Sequence, residues 1–212
     1  MLGDVLLIEE KHRKAGEVIV EEIVKRKKAK FMVGISGESG SGKTELAHVV
    51  AKNLRKKGIM AKPIHIDNYY KVHPLERTDW RKRHGIEKVV GYDEYDWDTI
   101  YRNVEDFRNS RRSTMPCVDL VTEQVDQLIT HFDVVDMLII DGLYAIKTEG
   151  LDLRVFIELT YHDTKKAQIV RGKEPQNEYR MAVLEQEHKM VQALKPSADI
   201  LVGKDYTVRV EG

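Results

Sequence analysis

The chain has 212 residues, enough for one domain with a substantial core, and its 35 Lys plus Arg balance 35 Asp plus Glu. A net charge of zero supplies no field for nucleic acid or an acidic membrane surface, and the lone Cys117 excludes an intrachain disulfide framework and suits a reducing compartment. No apolar run approaches the roughly 20 residues of a membrane span, and Met1 to Lys11 carries acids where a signal peptide needs a basic start, so a cytoplasmic protein is expected.

In chain order, Val5 to Ile8 is a short apolar run with the look of an edge strand. From Glu10 to Lys30, Ala15, Val18, Ile19 and Ile23 share one helical face, and Lys25 to Lys28 reads as a solvated helix end where cations meet the negative pole of the dipole. Phe31 to Ile35 is an apolar strand. It runs into Gly37-Glu38-Ser39-Gly40-Ser41-Gly42-Lys43-Thr44, which fits the phosphate-loop pattern of Gly, any four residues, then Gly-Lys-Ser/Thr. Glu45 to Lys57 follows as a helix, with Leu46, Val49, Val50 and Leu54 at helical spacing and Gly58 closing it.

Strand, glycine loop and helix are the context that the motif needs. Backbone N–H groups can surround a triphosphate only where no Cβ intervenes and φ can turn positive, hence Gly37, Gly40 and Gly42. The helix aims its first N–H groups and dipole at the same anion. Lys43 would then reach the β and γ phosphates, and the Thr44 hydroxyl would sit on the Mg2+ that bridges them.

Ala61 to Ile66 predicts a second strand, delivering Asp67-Asn68-Tyr69-Tyr70 at its carboxyl end, where parallel α/β sheets bind ligands. A carboxylate there can take the proton of an attacking hydroxyl or hold the Mg2+ water shell; read alone, Asp67 is more simply a turn residue. Lys71 to Ile86 is polar and carries no assignable pattern. Gly91 to Asp98 is dense in acids and aromatics, which suit a sugar's hydroxyls and apolar face, or equally a helix cap at Asp98 with Trp97 on the core. Thr99 to Asn109 is predicted helical and Pro116 to Val121 a short strand. Val125, Leu128, Ile129 and Phe132 predict a helix over Glu123 to Phe132.

Asp136 to Asp141 is a fully apolar run between acids, as expected of a strand buried on both faces. Its terminal Asp141 suits a metal role. Leu153 to Leu159 predicts another strand. A helix starts near Asp163, breaks at Arg171 to Pro175 and resumes from Asn177 to Leu194; strands follow at Ala198 to Val202 and Tyr206 to Val210. Arg171, Lys173 and Arg180 at that break are candidates for a lid closing over phosphates, with a solvated helix junction as the alternative.

Taken together, these elements resemble the uridine kinase and phosphoribulokinase family of phosphate-loop kinases. The resemblance rests on the loop Gly37 to Thr44, on Asp67-Asn68-Tyr69-Tyr70, on Tyr92-Asp93 with Tyr95-Asp96-Trp97, on Ile140-Asp141-Gly142, and on Val183 to Gln186 with Ala198-Asp199-Ile200. It implies a three-layer α/β P-loop NTPase fold: a five-stranded parallel sheet with helices on both faces, short extra strands and a lid near residues 171–180. Residues 1–212 would form a single kinase domain, with 1–30 as an N-terminal extension. It further implies Asp67 as general base, Tyr70 lining the acceptor pocket, Asp93 holding ribose hydroxyls with Tyr92 beside it, and Arg171 and Arg180 matching the family's lid arginines. Val118 to Glu123 departs from the Tyr-Asp-Phe element and following His with which the family's nucleoside kinases grip a pyrimidine.

The expected activity is ATP- and Mg2+-dependent phosphorylation of a hydroxyl on a ribose-containing acceptor, with uridine or cytidine first and a sugar phosphate second. Other partners expected are none among nucleic acids or membranes; a homo-oligomer is compatible with the sequence. A regulatory ATPase switch is the alternative from another class. Against it, Gly203-Lys204-Asp205 is a poor substitute for a guanine-reading Asn-Lys-x-Asp, and the Ser-Gly-Gly signature of transporter ATPases is missing.

Overall fold

The computed structural model describes residues 2–165 and 177–211. Its central sheet has six strands in the order β2-β5-β1-β6-β7-β8: β1 Phe31–Gly37, β2 Ala61–His65, β5 Met137–Asp141, β6 Leu153–Ile157, β7 Ile200–Val202 and β8 Val208–Val210. β2 through β7 in that order are parallel, giving the expected five-stranded core, and β8 adds an antiparallel edge.

Alternation along the strands builds the layers. Phe31, Val33 and Ile35 of β1 and Met137 and Ile139 of β5 face one side, where they join α1 (Glu10–Arg26) and α2 (Lys43–Lys56) through Ile19, Ile23, Leu46 and Val50. Met32, Leu138 and Ile140 face the other side, where they pack with Ile100, Val104 and Phe107 and with Val191. Those residues belong to α5 (Trp97–Arg108) and α6 (Glu178–Gln192). Every residue of β1 and β5 is buried, and each large apolar side chain so placed contributes about 1.5–3 kcal/mol.

Two stretches fold differently from the sequence expectation, and a third that carried no pattern is helical. Val5 to Ile8 is not a strand: the isolated bridge nearby, Leu2 to Asp119, lies before it, the Leu7 amide donates to Glu45 Oε1 at 3.1 Å, and Val5 is exposed, so no sheet edge receives it. Glu123 to Phe132 is not a helix. Gln124–His131 forms β4, antiparallel to β3 (Arg112–Asp119), with Glu123 at φ +57 tightening the turn between them. Val125, Leu128 and Ile129 fit a helical stripe, but they stand exposed on the hairpin, and cross-strand pairing of β-branched residues outweighs the pattern. The unassigned Lys71 to Ile86 contains α3 (Pro74–His84), with Pro74 in its first turn and Gly85 at φ +86 ending it, followed by the short α4 (Ile86–Val89).

α5 begins one residue after Asp96, whose carboxylate accepts from the Thr99 amide at 3.1 Å; Asp98 does not serve as the cap. Burial works against the Asp96 charge, but its bonds to Thr99 and the nearby Arg102 hold the carboxyl below the ordinary value. Asp96→Ala is therefore expected to cost about 1 kcal/mol at neutral pH. A depressed acid stabilises above its unfolded pKa and loses that contribution as pH falls through the folded one, so the gap between variant and wild type narrows below about pH 4. Urea unfolding at pH 7 and pH 3 checks this, and an equal gap at both would refute it. Among the described residues no helix is long and apolar enough to cross a membrane.

Candidate active site

The phosphate loop leaves β1 and enters α2 with Gly40 and Gly42 at φ +76 and +88, a region closed to most side chains. A Cβ on Gly42 would lie 2.0 Å from the Tyr206 hydroxyl and 2.7 Å from His12 Nε2. Tyr206 donates to the Ser41 carbonyl, and its ring meets His12 edge to face, so the N-terminal helix and the turn between β7 and β8 buttress the loop from behind. Lys43 Nζ donates to the Glu38 carbonyl at 2.8 Å.

Glu38 itself points away from the cleft. Its carboxylate, 2% exposed, accepts from the Tyr161 amide at 2.7 Å, from His188 Nδ1 and from Gln192 Nε2. One loop side chain thus ties together the turn after β6 and helix α6. On that helix Arg180 donates to Ser39 Oγ at 3.2 Å, and Thr164 Oγ1 donates to the Ser39 carbonyl at 2.7 Å. Arg171 and Lys173, the other lid candidates, lie outside the described residues.

At the end of β5, Asp141 accepts from Thr44 Oγ1 at 2.9 Å and pairs with His65 Nδ1; the His65 ring stacks on His48. Burial alone would raise this carboxyl, but His65, the Thr44 hydroxyl and Lys43 hold it below the ordinary value, so it stays ionised. His65 was not singled out from the sequence; its place two residues before Asp67 on a strand tip was the available signal.

Asp67 lies in the short turn Ile66–Tyr69 after β2, with its Oδ1 buried and lacking a hydrogen-bond partner among the described residues. Next to it, Tyr70 accepts from the Tyr95 hydroxyl at 2.6 Å, and burial together with the Asp67 charge pushes the Tyr70 hydroxyl up. Asn68 Oδ1 accepts from the Val118 amide at 3.0 Å, which fixes the β3–β4 hairpin beside the turn.

These side chains enclose a cleft of about 680 Å3, lined by Ser39, Gly40, Lys43, Thr44, Asp67, Tyr70, Asp141 and Arg180 among the anticipated residues. The structure also brings His65, Arg77, Arg81 and Glu187, the hairpin residues Val118 to Leu120, and Gly3 to Val5 to its wall. Tyr92 and Asp93 do not reach it. Tyr92 donates to the Met190 carbonyl at 3.0 Å and packs edge to face on Tyr144, while Asp93 is exposed to solvent. Their placement gives no support to the acceptor roles drawn from the resemblance. The buried acid of that stretch is Glu94, which takes both Nε and Nη2 of Arg81 at 2.6 and 3.0 Å.

Known proteins resemble this chain in sequence and in fold. A curated uridine kinase of Staphylococcus aureus is 27% identical over 192 residues, spanning 82% of this chain and 88% of the relative. The solved "possible uridine kinase" of Bacillus stearothermophilus has a TM-score of 0.67 at 21% identity, covering 89% of this chain and 97% of that one. Phosphoribulokinase from Rhodobacter spheroides has a TM-score of 0.63 at 12% identity, covering 84% and 71%. At such identities the two structures attest the fold alone. The sequence profile described as the Phosphoribulokinase / Uridine kinase family matches residues 32–198, a span that holds the phosphate loop and both strand-end aspartates: the chain belongs to that family.

Proposed function

We propose that the chain is an ATP-dependent kinase that transfers the γ-phosphate to a hydroxyl of a small, ribose-containing acceptor. The observation that carries this is the Asp67 carboxylate, with an oxygen that is buried and has no hydrogen-bond partner among the described residues, opening on the same cleft as Lys43, Thr44 and Asp141. A general base needs an unengaged acceptor atom beside the phosphate donor.

In this function Gly37 to Thr44 cradle the triphosphate and Lys43 offsets its charge. The acceptor hydroxyl gives its proton to Asp67 while its oxygen bonds to the γ phosphorus; the β,γ-bridging oxygen departs with its electron pair as ADP. Arg180, held beside Ser39, and Arg171 serve as cations for the transferring group, and Tyr70 forms the acceptor wall. Mg2+ fits the donor set at Thr44 and the ionised Asp141, hard oxygens on one side of the loop, and when bound it neutralises phosphate charge. Cys117 is a buried free thiol, in keeping with a reducing, cytoplasmic setting.

A pyrimidine nucleoside, as the names of the Staphylococcus aureus relatives suggest, is the first acceptor to try. A sugar phosphate is the second, favoured by the hairpin wall: Val118, Asp119, Leu120 and Glu123 offer the cleft neither an aromatic ring nor a His for a base. The test is ADP formation from ATP and Mg2+ with nucleosides, sugar phosphates and small alcohols. Kinase function requires that ADP appear when one of these acceptors is supplied. ADP formation indifferent to every acceptor would favour a regulatory ATPase.

A further inference from the structure

The reaction outlined above gives no role to the cations that α3 brings to the cleft. α3 carries Arg77 and Arg81 four residues apart, hence on one face, and both line the cleft. Arg81 is 5% exposed, engages Glu94 through two nitrogens and lies 3.9 Å from Glu187. Arg180, on α6, lies 3.8 Å from the same Glu187 oxygen. Arg77 differs from both. The difference is the carboxylate: among the described residues none pairs with Arg77, whose buried Nε, like that of Arg180, has no hydrogen-bond acceptor there.

Arg77 is nevertheless held in place. Its guanidinium carbon lies 3.4 Å from the centroid of the Tyr70 ring, and Tyr70 is itself fixed by the Tyr95 hydroxyl and by ring contact at 4.3 Å. Stacking occupies the face of the guanidinium and leaves its in-plane N–H edges for a ligand. Those edges form a rigid fork that matches the two oxygens of a carboxylate or phosphate, whereas a sugar hydroxyl offers one oxygen and no charge. A role confined to packing on Tyr70 gives no reason for a buried donor without an acceptor, since such a group destabilises the protein until something pairs with it. Lys82, further along α3, lines the same wall and adds positive charge.

We propose that Arg77 binds an oxyanion, a carboxylate or a phosphate, carried by the acceptor, so that this chain phosphorylates a hydroxylated anion in preference to a neutral nucleoside. The inference rests on the kinase function proposed above and deepens it. Asp67 serves the hydroxyl end of the acceptor, Arg77 the charged end, and Tyr70 lies between them as their common support. The hairpin wall lacks a ring for a base, and its own charges are the carboxylates of Asp119 and Glu123, so the cationic side of the cleft is α3.

The experiment uses the full chain with ATP and Mg2+ and matched acceptors: D-ribose against ribose 5-phosphate, glycerol against D-glycerate, and uridine as the neutral nucleoside. The phosphate and carboxylate arms separate the two oxyanions. An anionic member is expected to give the highest kcat/KM of the panel. Arg77→Ala should raise its KM about 10- to 100-fold, the loss of a charge-assisted contact, while the KM for ATP stays within about twofold. Arg77→Lys should recover only part of that loss, because an ammonium lacks the planar fork. If uridine or another neutral acceptor has the highest kcat/KM, or if Arg77→Ala raises the KM for ATP instead, the proposal is overturned while kinase function stands. If no acceptor stimulates ADP formation, kinase function itself is in question, and calorimetric titration of ribose 5-phosphate and D-glycerate against their neutral counterparts decides the site. Binding of a charged member that Arg77→Ala abolishes upholds it; no charge preference, or none that depends on Arg77, overturns it.

Discussion

Lys43→Ala is expected to reduce ADP formation by about 10³-fold, the upper range for loss of one preorganised group that stabilises developing charge. The ammonium is drawn back onto the loop by the Glu38 carbonyl at 2.8 Å, and it lies in the cleft with Thr44 and Asp141. Its position at the first residue of α2 sets it beside the N–H groups that face the phosphates. Alanine keeps the helix, because it is the best helix former, and removes the one flexible cation of the loop. Steady-state kinetics with circular dichroism as the folding control tests this. Turnover within tenfold of wild type would deny the loop its part in holding ATP.

Asp67→Asn is expected to lower kcat by about 10²- to 10⁴-fold, the usual contribution of a positioned base, and to leave ATP affinity nearly unchanged. The amide is isosteric, so the turn Ile66–Tyr69 keeps its shape, and Asn68 still anchors the hairpin through the Val118 amide. What changes is basicity: an amide oxygen accepts a hydrogen bond but no proton. Stopped-time assays of kcat beside nucleotide titration separate the two effects. A loss below tenfold would reduce Asp67 to a bystander, and a loss of ATP affinity would shift its role toward the Mg2+ shell.

Glu38 shows why side chains of a legible motif can act differently from their neighbours. It occupies a free position of the loop pattern, so nothing local distinguishes it from Ser39 or Ser41. In the fold it faces inward and joins His188 and Gln192, roughly 150 residues away in sequence, to the loop. The helix bearing Arg180 is thereby tied to the phosphate site through a carboxylate that the pattern treats as arbitrary. Tyr92 and Asp93 illustrate the converse. Their acid-and-aromatic character suits a sugar, but Tyr92 is spent on anchoring α6 and the acid that turns inward is Glu94.

Local sequence was sufficient for the phosphate loop, for the five strands of the core and for the aspartates at the tips of β2 and β5, and the family resemblance supplied their parallel arrangement. Each of these depends on contiguous residues: glycines where φ must turn positive, and short apolar runs, which in β1 and β5 are buried on both faces. Tertiary structure alone decided the wall opposite the loop. α3 escaped detection because its inward face carries Arg77 and Arg81 in place of an apolar stripe, and hydrophobic periodicity cannot register a helix that faces a polar cleft. The β3–β4 hairpin took the place of the expected helix because strand pairing is a contact with another segment, which spacing within one segment does not encode. The contrast between a neutralised Arg81 and an available Arg77 likewise arises from Glu94, a partner on a different element, so the charge left for an acceptor is a property of the assembled fold.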